Sequence, residues 1–117
     1  MFHLSLPDEH LAECIGFYRE CFEAEVVVLA PGVVNLFVFG GQLTLHERQD
    51  SALTDAARTA INFGAVLPAN EWLAARERLA DRDVRFDWLV EPGGPGTRGK
   101  LVVRDPSDNL VELNTEI

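Results

Sequence analysis

Apolar and polar side chains alternate along Phe2-His3-Leu4-Ser5-Leu6, the period of a strand with one buried face. Pro7-Asp8 reads as a turn, with Asp8 placed to cap the start of a helix. Beyond it the period changes. Leu11, Cys14, Ile15, Tyr18, Cys21 and Phe22 recur at three- and four-residue steps and trace one helical face, with Glu9, Glu13, Arg19 and Glu20 off it. Three strands follow. Val26 to Leu29 is rich in β-branched residues, Pro31-Gly32 turns, Val33 to Phe39 is apolar, Gly40-Gly41 turns again, and Gln42 to His46 alternates polar residues with leucine.

Residues 49–58 are polar, lack strand periodicity and read as a linker. The order then returns. Ala60 to Leu67 is a strand that Pro68 ends, and Trp72, Leu73, Arg76, Leu79 and Ala80 mark a helical face. Val84 to Val90, Lys100 to Arg104 and Leu110 to Asn114 are strands, separated by a Gly93-to-Gly99 loop and by the turn Asp105-Pro106-Ser107-Asp108-Asn109. The chain is thus one α+β domain of two β-α-β-β-β repeats, residues 1–48 and 59–117. Such a repeat predicts two similar sheets, each backed by its helix, whose other faces form a cleft suited to a small molecule.

Composition narrows the function. Of 117 residues, 47% are hydrophobic and 25% charged, so a core forms without disulfide or metal staples. Nineteen acidic against ten basic residues leave a net charge of -9 with no basic cluster, which excludes a nucleic-acid module and creates a field that attracts cations. No stretch approaches a membrane span and no leader is legible, which points to the cytoplasm. Cys14 and Cys21 lie two helical turns apart, about 10 Å, too far for a relaxed disulfide, and read as small buried hydrophobes.

Four polar residues interrupt apolar strands at corresponding places of the two repeats: His3, His46, Asn62 and Glu112. Alternation sets Gln42, Thr44 and His46 on one face of their strand and Glu112 opposite Val111 and Leu113. Gly94 to Lys100 fits the first seven positions of a phosphate-binding loop, but Leu101 follows and the segment enters a strand instead of a helix, so the match is set aside. Arg98 on that loop could meet an anionic substrate. Trp72 reads as core, Trp88 as core or, if it faces the cleft, as a surface on which a planar ligand could stack, and Phe37 and Phe39 are undecided between the two. His10, beside Glu9 in the first helical turn, reads as solvent-facing.

Phe2-His3-Leu4-Ser5-Leu6, Phe17-Tyr18 before Cys21-Phe22, Asn62-Phe63-Gly64-Ala65-Val66-Leu67 and Asp105 to Leu113 occur in an order that resembles the vicinal oxygen chelate superfamily. This is the glyoxalase, bleomycin-resistance and extradiol dioxygenase group, and nearly the whole chain is covered. The resemblance implies a divalent metal ion, Zn, Ni, Mn or Fe(II), held by His3, His46 and Glu112, with Gln42 as the alternative to His46 and Glu112 also as the catalytic base. Asn62 departs from the pattern: it stands where catalytic relatives carry His, and an amide oxygen binds a transition metal less well than imidazole. Asp108 stands where the resemblance implies a turn Gly and is expected in the left-handed region that Asp tolerates. Asn62, Trp88, Arg98 and Phe37 would contact substrate. The activity implied is a metal-dependent lyase, isomerase or dioxygenase acting on a small oxygen-rich molecule; the rival, favoured by Asn62, is a non-catalytic drug- or metabolite-binding protein. Either is expected as a homodimer, with the cleft built within one chain or between two.

Overall fold

The computed structural model describes residues 1–48, 53–93 and 96–116. The elements run β1 His3–Asp8, α1 Leu11–Phe22, β2 Glu25–Ala30, β3 Val33–Val38, β4 Gly41–Glu47, α2 Asp55–Ala60, β5 Asn62–Leu67, α3 Ala69–Asp81, β6 Phe86–Val90, β7 Lys100–Arg104 and β8 Leu110–Thr115. They form two four-stranded mixed sheets, ordered β1-β4-β3-β2 and β5-β8-β7-β6. In each, the first and last strands of the repeat are parallel and the other pairs antiparallel. The expected α+β architecture is present, and the sheets do not close into a barrel.

Each sheet buries one face on helices. Leu6, Val34, Leu36, Leu43 and Leu45 of the first, and Leu101, Val103, Val111 and Leu113 of the second, join Cys14, Phe17, Tyr18, Cys21, Trp72, Ala75 and Leu79 in one apolar core. Both cysteines are buried and free, as the helical spacing predicts. Trp72 is fully buried, and its indole N–H donates to the Leu113 carbonyl at 2.9 Å, which fastens α3 to β8. The helices α1 and α3 pack against each other. Arg78 Nε donates to the Cys21 carbonyl at 2.8 Å across that contact. The molecule is 46 Å along its longest axis.

Two local expectations change. Pro7-Asp8 is not a turn: β1 continues in parallel register through Pro7↔His46 and Asp8↔Glu47, because β1 is an edge strand and tolerates a residue without an N–H. Asp8 does not cap through its position either, since the N-cap residue is His10; Asp8 instead lies fully buried. Second, part of the expected linker is helical, since α2 spans Asp55–Ala60 and the Thr54 hydroxyl accepts from the Ala57 N–H at 3.1 Å. Residues 49–52 of that linker lie outside the described residues. Phe39 and Gly40, with φ of 58° and 71°, form a two-residue hairpin that turns the Phe39 ring onto Phe22, 5.1 Å away. Asp108 has φ 66°, the left-handed conformation expected of it.

A buried polar network joins the repeats. Tyr18 OH donates to Asp105 Oδ2 at 2.7 Å, and Asp105 also accepts from the Ser107 and Asn109 backbone N–H groups and the Asn109 side-chain amide. Ser107 Oγ donates to Asp8 Oδ1, and Arg58 donates to the Ser107 carbonyl and Asn109 Oδ1. Burial raises the Asp105 carboxyl pKa above its ordinary value, against the lowering effect of its hydrogen bonds. A raised folded-state pKa contributes stability that is present below the unfolded value and lost as pH rises through the folded one. Asp105→Asn, which cannot ionise, should therefore lose less stability than the native chain between about pH 4 and neutrality, read from urea midpoints at each pH. A parallel pH dependence in the two proteins would remove Asp105 from this role. Tyr18→Phe should cost about 1–3 kcal/mol in the same unfolding measurement.

Candidate functional site

The parallel and antiparallel registers around β4 put His3, Ser5, Gln42, Thr44, His46, Asn35 and Phe37 on the free face of the first sheet. Phe37 lies on this face, paired with Gln42, while Phe39 packs on the core side. His3 Nε2 lies 3.0 Å from Thr44 Oγ1, and the Thr44 hydroxyl donates to Asn35 Oδ1 at 2.7 Å. His46 Nε2 lies 2.7 Å from Ser5 Oγ. A cavity of about 710 Å³ opens beside this second pair, walled by Pro7, Pro31, Val33 and Arg48. The face is polar and carries no acid between its two imidazoles.

The second sheet presents Asn62, Gly64, Val66, Glu112 and Asn114 on its free face, with Lys100 and Val102 beside them. Both Glu112 oxygens are engaged: Oε1 lies 3.7 Å from Lys100 Nζ, and Oε2 accepts from Asn114 Nδ2 at 2.9 Å. Strict alternation along β6 would turn Trp88 to the same side as Phe86. A register shift between the two instead pairs Trp88 with Val102, so a bulge aims the indole onto the face that bears Glu112. The ring is 57% exposed, with Lys100 Nζ 5.1 Å from its centroid. Arg98 donates from Nε to the Thr115 carbonyl at 2.6 Å and so is tied to the end of β8. Gly94 and Pro95 of the phosphate-loop-like segment lie outside the described residues.

The structure thus groups His3 with Gln42 and Thr44, sets His46 beside Ser5, and carries Asn62, Glu112 and Trp88 on the other sheet. Among the described residues of one chain, no three His, Cys, Asp or Glu side chains gather closely enough to hold a metal ion. The thiols contribute no nucleophile, because burial pushes both the Cys14 and Cys21 pKa values up. His10 is exposed, as expected. Sequence reasoning passed over Asn35, Lys100 and Asn114. Period two contained the signal: each is a polar residue in phase with a candidate on the neighbouring strand, but pairing a residue with its neighbour requires the register.

The profile of the Glyoxalase/Bleomycin resistance protein/Dioxygenase superfamily matches residues 1–113. The chain belongs to that superfamily. No curated protein matches it. Solved structures similar to it include fosfomycin resistance protein FosX from Listeria monocytogenes, with TM-score 0.80 and 19% identity over 100% of this chain and 93% of that one. Lactoylglutathione lyase from Agrobacterium tumefaciens gives 0.70 and 22%, over 98% and 92% of the two chains. A glyoxalase/bleomycin resistance protein/dioxygenase from Alicyclobacillus acidocaldarius gives 0.74 and 22%, over 100% and 91%. At these identities the likeness is one of fold.

Gly64 sets the position of Glu112. A Cβ built on Gly64 would sit 1.7 Å from the Glu112 carbonyl oxygen, so the close approach of β5 to β8 requires glycine. Gly64→Ala should lower stability by about 1–3 kcal/mol and move the Glu112 backbone amide resonance, whereas Gly40→Ala, with no atom near its added methyl, should leave that resonance in place. Unchanged Glu112 shifts in Gly64→Ala would show that the strands can separate at no cost.

Proposed function

We propose that the protein acts on a small oxygen-rich molecule as a divalent-metal-dependent lyase, isomerase or dioxygenase, in a site completed by a second copy of the chain. One observation carries this reading: His3 and His46 stand on the free face of one sheet, Asn62 and Glu112 on that of the other, and among the described residues no three His, Cys, Asp or Glu side chains of one chain gather closely enough to hold an ion. A cleft that joins them sets the first sheet of one copy against the second sheet of its partner. A homodimer is the assembly that does so twice.

The donor set suits such an ion even though one chain does not gather it. Imidazole nitrogens and a carboxylate bind Zn, Ni, Mn or Fe(II), and His3, His46 and Glu112 would hold it, with Gln42 as the alternative to His46 and the Asn62 amide oxygen as a weaker donor. When bound, the ion acts as a Lewis acid toward substrate oxygens. The remaining work falls to the chain. Glu112, steadied by Lys100 and Asn114, takes a substrate proton, and Trp88, Phe37, Arg98 and Asn62 are assigned to substrate contact. Asn62 favours a second reading, a binding protein that sequesters a drug or metabolite without turning it over, for which the acidic surface suits a cationic ligand.

Metal analysis of untagged protein, with sedimentation of the same sample, separates these. A dimer with near-stoichiometric metal that is lost on His3→Ala or Glu112→Ala supports the enzyme. No metal as purified, and no uptake from Ni, Zn, Mn or Fe(II), turns the assignment to sequestration. A monomer at every concentration would sink the shared site. Each copy carries -9, so dimer dissociation should weaken as ionic strength rises from about 0.01 to 0.15 M and the screening length falls from about 30 to 8 Å. Stronger dissociation in salt would mean that opposite charges hold the interface.

A further inference from the structure

His3 differs from His46 in what its ring nitrogen meets. His46 reaches the exposed Ser5 hydroxyl, where water competes for every bond. His3 Nε2 reaches Thr44 Oγ1 at 3.0 Å, and Thr44 is only 5% exposed. A hydroxyl has one proton and two lone pairs. The Thr44 proton goes to Asn35 Oδ1 at 2.7 Å, and Asn35 is itself 8% exposed, so water cannot easily replace either partner. Gln42 Nε2, 3.4 Å away, can only donate to Thr44. The Thr44 oxygen therefore turns a lone pair toward His3 Nε2, and that contact is attractive only if Nε2 carries a proton. In a neutral imidazole the lone pair is then on Nδ1.

We propose that Asn35 and Thr44 are positioning residues that fix His3 in its Nε2–H tautomer, so that the lone pair of the neutral ring is on Nδ1. The inference rests on the assignment of His3 to the site. It also sets a direction: acceptance of a ligand or proton at Nε2 requires the Thr44 bond to break first, whereas Nδ1 is available with the relay intact. Asn35 controls the outcome through the single Thr44 proton, although it does not touch His3.

The test is a long-range proton–nitrogen correlation on the uniformly 15N-labelled full chain, well above the ordinary imidazole pKa of about 6.5. The cross-peak pattern to the two ring carbon-bound protons tells Nε2 from Nδ1, and the signals missing in His3→Gln assign the residue. The native chain should show Nε2 protonated. Asn35→Leu removes the acceptor, frees the Thr44 proton to go to Nε2, and should invert the tautomer to Nδ1–H. Thr44→Val should give an averaged pair of nitrogen shifts, and Thr44→Ser should restore the native pattern. A native Nδ1–H tautomer would overturn the proposal, as would a pattern that neither Asn35→Leu nor Thr44→Val changes. Should Asn35→Leu fail to fold, the Thr44 pair still decides. Because the readout needs no metal, failure of metal uptake leaves it standing, and its failure leaves the metal measurement standing.

Discussion

Asp105 accepts hydrogen bonds from four donors in a place that water does not reach, and the relative placement of the two sheets follows from where those donors originate. Three belong to the β7–β8 turn and make it rigid; the fourth is Tyr18, from the helix of the other repeat. Asp8 and Ser107 add a second cross-link at the end of β1. Arg58 adds a third, binding the turn through Ser107 and Asn109 and reaching Glu9, at the start of α1, at 3.2 Å. Apolar contact between α1 and α3 would hold the repeats together at several orientations, since burial is non-directional. A buried polar network tolerates few, because each displaced partner leaves a desolvated group without a bond.

That fixed orientation decides what one chain can do. With the helices in contact, swinging one repeat against the other would break Tyr18 from Asp105. The free face of the second sheet meanwhile leaves Val66, Trp88 and Val90 in water, apolar surface of the kind that marks a binding or assembly face. The bulge at Trp88 sharpens the point. A sheet that needed only its core would have used ordinary alternation and buried the indole; the irregularity moves a large ring out of the core and beside Glu112.

Local periodicity made the elements legible because each period reports a single buried face. The helix from Leu11 to Phe22 and the strand from Lys100 to Arg104 match their predicted bounds, and the inward Leu43 and Leu45 separate cleanly from Gln42, Thr44 and His46. Asp8 failed for the converse reason: Pro-Asp is a turn signal locally, and only the parallel pairing with β4, more than thirty residues away, keeps it in a strand. Trp88 was placed on the right face only as one of two options, since alternation contains no information about a bulge. The candidate residues were found one by one from their chemistry. Their division between two faces was not legible, because strand patterns describe each sheet and say nothing of how one sheet lies on the other.

The two faces are also unlike in charge, and this bears on how they could meet. The first offers hydrogen-bonding groups, His3, Ser5, Gln42, Thr44 and Asn35, with the carboxylate Glu25 at its β2 edge. The second carries its charges already paired, Lys100 with Glu112 and Arg104 with Asp87 at 2.9 Å. Pairing within one sheet lowers the desolvation cost when another surface covers it, because neither member of a pair enters the interface alone. The net -9 of the whole chain opposes association as well, a long-range term that salt screens. What the polar groups around Thr44 gain is directionality. Thr44 and Asn35 can impose an orientation on His3 that a nearby carboxylate would override by drawing the imidazole into an ion pair.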